Sequence, residues 1–238
     1  MDFLLLHGGL HGGWCWQETA RTLRAFGHRV VTPTLTGSGE RAHLLTPEID
    51  LDTGIADIVA VIEAEELSDL TLVAHSLGGA VACGVADRLG CGIVTRLLFL
   101  DAMILQNGRS VLDEMPQEVA ATRREMARAS GMNSIEPIAP ESFGLTDADQ
   151  IAWVARRQTR QAFGCFSQPL KLAHPVGNGA ACTYIRCTRP RYPAVEPSAA
   201  WARDQPGWSF VEFDACHDAM VEKPHRLACL VETLAVRA

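Results

Sequence analysis

The sequence predicts an α/β protein: a mostly parallel, doubly wound sheet carrying one helical insertion. Three observations predict it. Short continuous apolar runs alternate with helix-patterned segments through the first hundred residues. Strand-like runs then vanish from about Met103 to Pro169. They return at Thr183–Cys187 and Trp208–Phe213. A chain of 238 residues suits one domain of the larger α/β kind. Its core is expected in residues 1–102 and 170–238, and the insertion in residues 103–169.

In order, Phe3–His7 reads as the first strand, followed by the Gly-rich loop His7-Gly8-Gly9-Leu10-His11-Gly12-Gly13. A helix spans Trp16–Phe26, with Trp16, Leu23 and Phe26 apolar, and Gly27 stops it. His28–Thr32 is the next strand. Pro33–Asp52 is loop-like, with Gly37, Gly39 and Pro47. The helix Ile55–Glu66 puts Ile55, Ile58, Val59 and Ile62 on one face. Thr71–Ala74 is a buried strand, with a helix after it through Leu89, and Arg96–Leu100 a strand ending at Asp101. Beyond the insertion come Thr183–Cys187, a helix near Ser198–Arg203, the strand Trp208–Phe213 and a final helix from about Pro224 to Val236. Continuous apolar strands alternating with helices call for a parallel sheet covered on both faces. There is no internal repeat and no low-complexity segment.

Composition narrows the function. Hydrophobic residues make up 47% and charged residues 21%, as in ordinary soluble globular proteins. A net charge of −7 gives no electrostatic footprint for nucleic acid. Arg123, Arg124, Arg128, Arg156, Arg157 and Arg160 fall at helical spacings and read as solvated helix faces. No apolar run approaches a membrane span, and Met1-Asp2 leads directly into the first strand, so no signal peptide is expected. Eight cysteines without C-x-x-C pairing suggest reduced core residues and a cytoplasmic protein.

The chemistry centres on Thr71–Gly79, T-L-V-A-H-S-L-G-G. A serine where a buried strand turns into a helix sits on a tight, strained corner with its hydroxyl exposed above the sheet. Small neighbours are required because the turn leaves no room beside it. The pattern G-x-S-x-G appears here as Ala74-His75-Ser76-Leu77-Gly78, with alanine a mild departure. A serine nucleophile needs a base, an acid to orient that base, and donors for the oxyanion. Seven of the eight histidines sit poorly for the base. His75 adjoins Ser76, His7 and His11 flank the Gly-rich loop, and His28 opens a strand. His43 and His174 lie in loops, and His225 is on the final helix. His217 follows the last strand in Asp214-Ala215-Cys216-His217-Asp218, where a returning loop can hang an imidazole over the corner. The Leu77 N–H, just after the serine, and the Gly9 N–H, in the first loop, are the expected oxyanion donors. The first loop is not G-x-G-x-x-G, and no acidic residue ends the following strand, which argues against a dinucleotide. His7 and His11 lie on a loop without an intervening glutamate, which argues against zinc. No metal and no cofactor are expected.

The H-G-G-L-H-G-G-W-C-W loop, the A-H-S-L-G-G corner, the F-L-D-A strand end, the lid-like insertion and the terminal histidine loop together resemble α/β-hydrolases. The resemblance covers nearly the whole chain. It is nearest to the small plant and bacterial esterases that include methyl-salicylate esterases and hydroxynitrile lyases. By position it implies an α/β-hydrolase fold, Ser76 as nucleophile, His217 as base, and the Gly9 and Leu77 amides as oxyanion donors. It also exposes a departure. That family places the acid just after the strand matching Thr183–Cys187, yet Thr188-Arg189-Pro190-Arg191-Tyr192-Pro193 holds no carboxylate. Glu196 lies too far along. Asp101, at the end of the neighbouring strand, is the expected substitute, with Asp214 and Asp218 weaker candidates. The lyases of this group use a threonine in the first loop and a lysine after the histidine. Gly8 and Asp218 stand there, which disfavours cyanide chemistry.

The expected function is therefore a serine hydrolase cleaving a small, largely apolar ester or lactone through an acyl-enzyme. A ligand-binding member with a degraded triad, or a C–C hydrolase or lyase, are the alternatives. The expected pocket draws on Gly8, His11, Met103 and Trp153. Met115, Met126, Met132, Phe143, Phe163 and Phe166 are further insertion residues, most of them expected simply to pack the insertion down. The partner is a small molecule. A homodimer is left open.

Overall fold

A computed structural model describes residues 1–237. In chain order it holds β1 (Asp2–Leu6), α1 (Gln17–Ala25), β2 (Arg29–Val31), α2 (Leu51–Ala64), β3 (Leu70–His75), α3 (Gly78–Leu89) and β4 (Val94–Leu100). The inserted segment follows, with α4 (Val111–Glu114), α5 (Gln117–Ala129), β5 (Ser134–Ile135), α6 (Ala148–Ala155), β6 (Gln161–Ala162) and α7 (Gly164–Ser167). The chain then returns to the sheet through β7 (Ala181–Cys187), α8 (Glu196–Arg203), β8 (Ser209–Phe213), α9 (Ala219–Glu222) and α10 (Pro224–Arg237).

Six strands form one sheet in the order β2-β1-β3-β4-β7-β8, and every neighbouring pair is parallel. The period of two along each strand divides the core cleanly. Leu4, Leu6, Leu72, Ala74, Leu97 and Phe99 face α2, α3 and α8 on one side. Phe3, Leu5, Val73, Leu98 and Leu100 face α1 and α10 on the other. Both faces are covered, which is why the strands read as unbroken apolar runs rather than alternating ones. The helices start where local chemistry lets them. Asp50 caps α2 by accepting from the Thr53 N–H at 2.9 Å, and the Thr53 side chain reaches back to the Asp50 N–H. Among the described residues no helix is long and apolar enough to cross a membrane.

The expectation that strands vanish between residues 103 and 169 needs a correction. β5 and β6 pair there as a two-stranded antiparallel ribbon, Ser134 opposite Ala162 and Ile135 opposite Gln161. Two residues per strand are too few to leave a periodic signature. The ribbon and its flanks are tied to the first loop: Thr159 N–H donates to the Leu10 carbonyl at 3.0 Å, and Gly39 N–H donates to Thr159 Oγ1 at 2.9 Å.

Because all six strands run one way, the loops leaving β1, β3, β4, β7 and β8 gather at one edge of the sheet. In open α/β sheets this is where sites are built. His75 on β3 pairs with Leu100 on β4, so Ser76 and Asp101 leave the sheet at the same level on adjacent strands.

Candidate active site

Ser76 turns the chain from β3 into α3 with φ of +52°, a conformation that is costly for a non-glycine residue. The corner is held by its own carbonyl, which accepts from Gly79 N–H at 3.0 Å and Met103 N–H at 2.9 Å. The need for small neighbours is physical. A Cβ on Gly78 would lie 2.6 Å from the His7 carbonyl oxygen, and one on Gly8 would lie 2.8 Å from Ser76 Cβ. Ala74 is tolerated because its methyl group points into the apolar layer beneath the sheet, among Leu4, Leu72 and Phe99.

His217 reaches this corner from the loop after β8, anchored by its N–H on the Phe143 carbonyl at 3.0 Å. Its Nε2 lies 3.0 Å from Ser76 Oγ, and its Nδ1 lies 2.7 Å from Asp101 Oδ2. Asp101, buried at the end of β4, also accepts the Cys187 N–H at 3.0 Å through Oδ1. The other candidate acids are engaged elsewhere. Glu196 pairs with Arg186, and Asp214 pairs with Arg189 and Lys223 at the surface. Asp218 is fully buried and bonds His11 Nε2 at 3.1 Å. The structure thus brings Ser76, His217 and Asp101 into one hydrogen-bonded line. The Gly9 and Leu77 N–H groups border the same cavity, and among the described residues neither has an internal acceptor.

That cavity is small, about 30 Å³, and is lined by Gly9, Leu10, Met103, Met115, Phe143 and Phe166 as well as by Ser76. Met103 is where sequence placed it. Three other expected pocket residues are not. Trp153 packs edge-on against Trp14, with ring centroids 5.0 Å apart, and borders a separate groove with Cys15 and Met220. Its helix, α6, turns toward α1 and α9 instead of toward Ser76. Gly8 lies beneath Ser76 and His75 as backbone filler. His11 sits behind the loop, with both ring nitrogens occupied by Gly9 and Asp218. Met132 is exposed and Phe163 lines a different groove.

Arg123 overturns another expectation. It does not belong to a solvated face but lines the Ser76 cavity from α5, half-buried. The signal was present: Val119, Ala120, Arg123, Met126 and Ala127 fall on one helical stripe, and that stripe faces inward. Tyr192 was likewise overlooked. Its ring stacks on His217 with centroids 3.9 Å apart and closes the cavity from the β7 side.

Three buried histidines support the site, and their partners dictate their charge. His7 donates through Nδ1 to the Gly8 carbonyl and accepts the Leu35 N–H on Nε2, an arrangement only the neutral ring can make. Burial accordingly pulls its pKa down to about 4. His75 donates from Nε2 to the His217 carbonyl at 3.0 Å. Burial, then the neighbouring His217 and His11, hold it well below the usual histidine range. His11 is the opposite case. Both its nitrogens face acceptors, the Gly9 carbonyl at 2.9 Å and the Asp218 carboxylate. Burial acts to lower its pKa, but the charge and hydrogen bond of Asp218 override it and leave it raised.

A parallel sheet with a serine on a strand-to-helix corner, below a histidine from the last loop, has the architecture of an α/β hydrolase. The chain belongs to the alpha/beta hydrolase family, whose model matches residues 3–228, and it is an esterase-type member. It is similar to the carbendazim hydrolyzing esterase of Nocardioides sp. (strain SG-4G), at 40% identity over 238 residues, covering 95% of this chain and 96% of that one. Methylesterase 3 of Arabidopsis thaliana is 31% identical over 163 residues, covering 63% of this chain and 57% of the relative. Among solved structures, an extracellular α/β-hydrolase from a Paenibacillus species matches in fold with a TM-score of 0.85 at 24% identity, covering 99% of this chain and 98% of that one.

Proposed function

We propose that the protein is a serine esterase that cleaves small, largely apolar carboxylic esters or lactones through an acyl-enzyme. The observation that carries this reading is the line from Asp101 through His217 to Ser76, at 2.7 and 3.0 Å. In this reading Ser76 Oγ attacks the carbonyl carbon while His217 Nε2 takes its proton. Asp101 holds the Nδ1–H and steadies the imidazolium that forms. The negative charge on the carbonyl oxygen is met by the Gly9 and Leu77 N–H groups. His217 then hands its proton to the departing alkoxide, which leaves as the alcohol. Water, deprotonated by the same imidazole, releases the acid and restores Ser76. None of these steps calls on a cofactor.

The inserted segment, residues 103–169, serves as a lid in this reading. A cavity of about 30 Å³ is far below the ~300 Å³ or more that bound ligands occupy, so substrate entry requires the lid to yield. Methyl esters and carbendazim are the first compounds to test, given what the relatives are named for. A cytoplasmic setting belongs to the same proposal, since the eight cysteines are all unpaired. The test is labelling by a fluorophosphonate probe together with hydrolysis of p-nitrophenyl acetate. Both are expected in the wild type and absent in Ser76→Ala. Equal labelling of the two proteins would overturn the assignment of the nucleophile.

A further inference from the structure

Arg123 is a charge in a place where nothing neutralises it. The other residues around the Ser76 cavity are Gly9, Leu10 and Leu77, methionines 103 and 115, Ile135 and three aromatic side chains, none of them charged. The guanidinium enters this apolar lining from α5. None of the ion pairs among the described residues includes it. Its polar neighbours are neutral: a terminal nitrogen donates to the Met126 sulfur at 3.7 Å, a weak acceptor, and the Tyr192 hydroxyl also faces the guanidinium. Its Nε is buried and has no partner in the protein. Arg186, which is buried more deeply, is handled differently: it is paired with Glu196 and faces Glu212.

A partly desolvated cation with an unused N–H edge costs free energy in the empty protein, which an incoming acceptor would recover. The free edge is also specific in shape. A guanidinium presents two parallel N–H groups through Nε and one terminal nitrogen, and a carboxylate accepts both at once. We propose that Arg123 is the specificity-determining residue of this site and selects esters bearing a free carboxylate at the end of the substrate away from the scissile bond. A half-ester of a small dicarboxylic acid has the required chemistry: an apolar spacer for the methionines and aromatic rings, an ester for Ser76 and an anion for Arg123. The inference rests on the esterase reading for its reaction, but the recognition step stands separately.

The experiment compares monomethyl adipate with methyl hexanoate, which differ only in carboxylate against methyl at the far end. Methanol release gives kcat/KM for each with the wild type, Arg123→Met and Arg123→Lys. The wild type is expected to favour monomethyl adipate. In Arg123→Met the ratio between the two esters should fall by about 10- to 100-fold, the range for a charge-assisted bond, and chiefly through KM. Arg123→Lys, which keeps the charge but loses the fork, should fall between. An equal loss for both esters in Arg123→Met, or a wild-type preference for methyl hexanoate, overturns the proposal. Calorimetric titration of both esters into Ser76→Ala, with and without Arg123→Met, reads recognition without turnover. Tighter binding of monomethyl adipate that disappears in the double variant supports Arg123 even if the wild type hydrolyses neither ester, an outcome that would sink only the esterase reading. Equal binding of the two esters sinks the Arg123 proposal and leaves the esterase reading intact.

Discussion

Two buried histidine–aspartate pairs lie within one small volume of this protein, and they do opposite things. His217 binds Asp101 at 2.7 Å and His11 binds Asp218 at 3.1 Å, all four side chains being essentially out of solvent. The difference lies on the second nitrogen. His217 offers Nε2 to a hydroxyl, Ser76 Oγ, which can donate. His11 offers Nδ1 to a carbonyl, Gly9, which can only accept. With Nδ1–H on Asp101, the first ring can aim the Nε2 lone pair at a proton it can take. The second carries a proton on both nitrogens and has nothing left to accept with. A histidine–carboxylate pair becomes catalytic only through its third member. Without a donor there it is a strut, here one that ties the loop carrying Gly9 to the loop carrying His217.

The sharpest way to break the comparison is to remove that third member. Ser76→Ala should reduce ester turnover by about 10⁴- to 10⁶-fold, leaving the fold intact, as measured by p-nitrophenyl acetate hydrolysis and circular dichroism. Next comes the contrast between the two acids. Asp101→Asn should lower kcat by about 10⁴-fold, because the amide can favour the wrong tautomer of His217 and cannot balance an imidazolium. Asp218→Asn should leave kcat within about tenfold and act on stability instead. Breaking a buried pair from one side costs about 3 to 5 kcal/mol, readable in urea unfolding. If Asp218→Asn abolished turnover while Asp101→Asn did not, the roles assigned to the two pairs would be reversed.

The framework was legible because its physics is local. Phe3–Leu6, Leu70–Ala74 and Leu97–Leu100 are buried on both faces and, Thr71 apart, apolar, as the strands of a parallel sheet covered on both sides are. The serine corner announced itself through small residues that the turn requires, and His217 through its position after the last strand. Asp101 was reachable only through the family resemblance, which implies an acid just after the Thr183–Cys187 strand, where residues 188–193 contain no carboxylate. What failed was anything decided by the facing of a short helix. Trp153 and Arg123 both lie in the inserted segment, where each helix meets several neighbours and an aromatic side chain has many places to pack. The helical spacing of the arginines favoured a solvated Arg123, and Trp153 was expected to line the pocket, but Trp153 packs on Trp14 away from Ser76 and Arg123 enters the cavity. Only the stripe Val119–Ala120–Arg123–Met126–Ala127 gave warning. The His11–Asp218 pair spans 207 positions of sequence, and no local pattern could reveal it.

The pH dependence of stability sharpens the comparison furthest, with the smallest effects. His7, neutral in the fold, has its pKa lowered from 6.5 to about 4. Its contribution is present above pH 6.5 and is lost as pH falls through about 4. This is worth up to about 3 kcal/mol at 1.36 kcal/mol per unit. His75 is lowered for the same reason, burial, and steepens the same acid limb. His11 works in the other direction. With its pKa raised by Asp218, its contribution is complete below 6.5 and is lost as pH rises through the raised value. Unfolding free energy should therefore decline on both sides, with the acid limb larger. Asp218→Asn removes the one influence that outweighs burial at His11, so its pKa should drop below the ordinary range. The alkaline limb should vanish and the acid limb deepen. Urea unfolding of both proteins between pH 4 and 9 measures this directly. An alkaline limb surviving in Asp218→Asn would show that His11 is not the charged member of a strut, and the distinction between the two pairs would collapse.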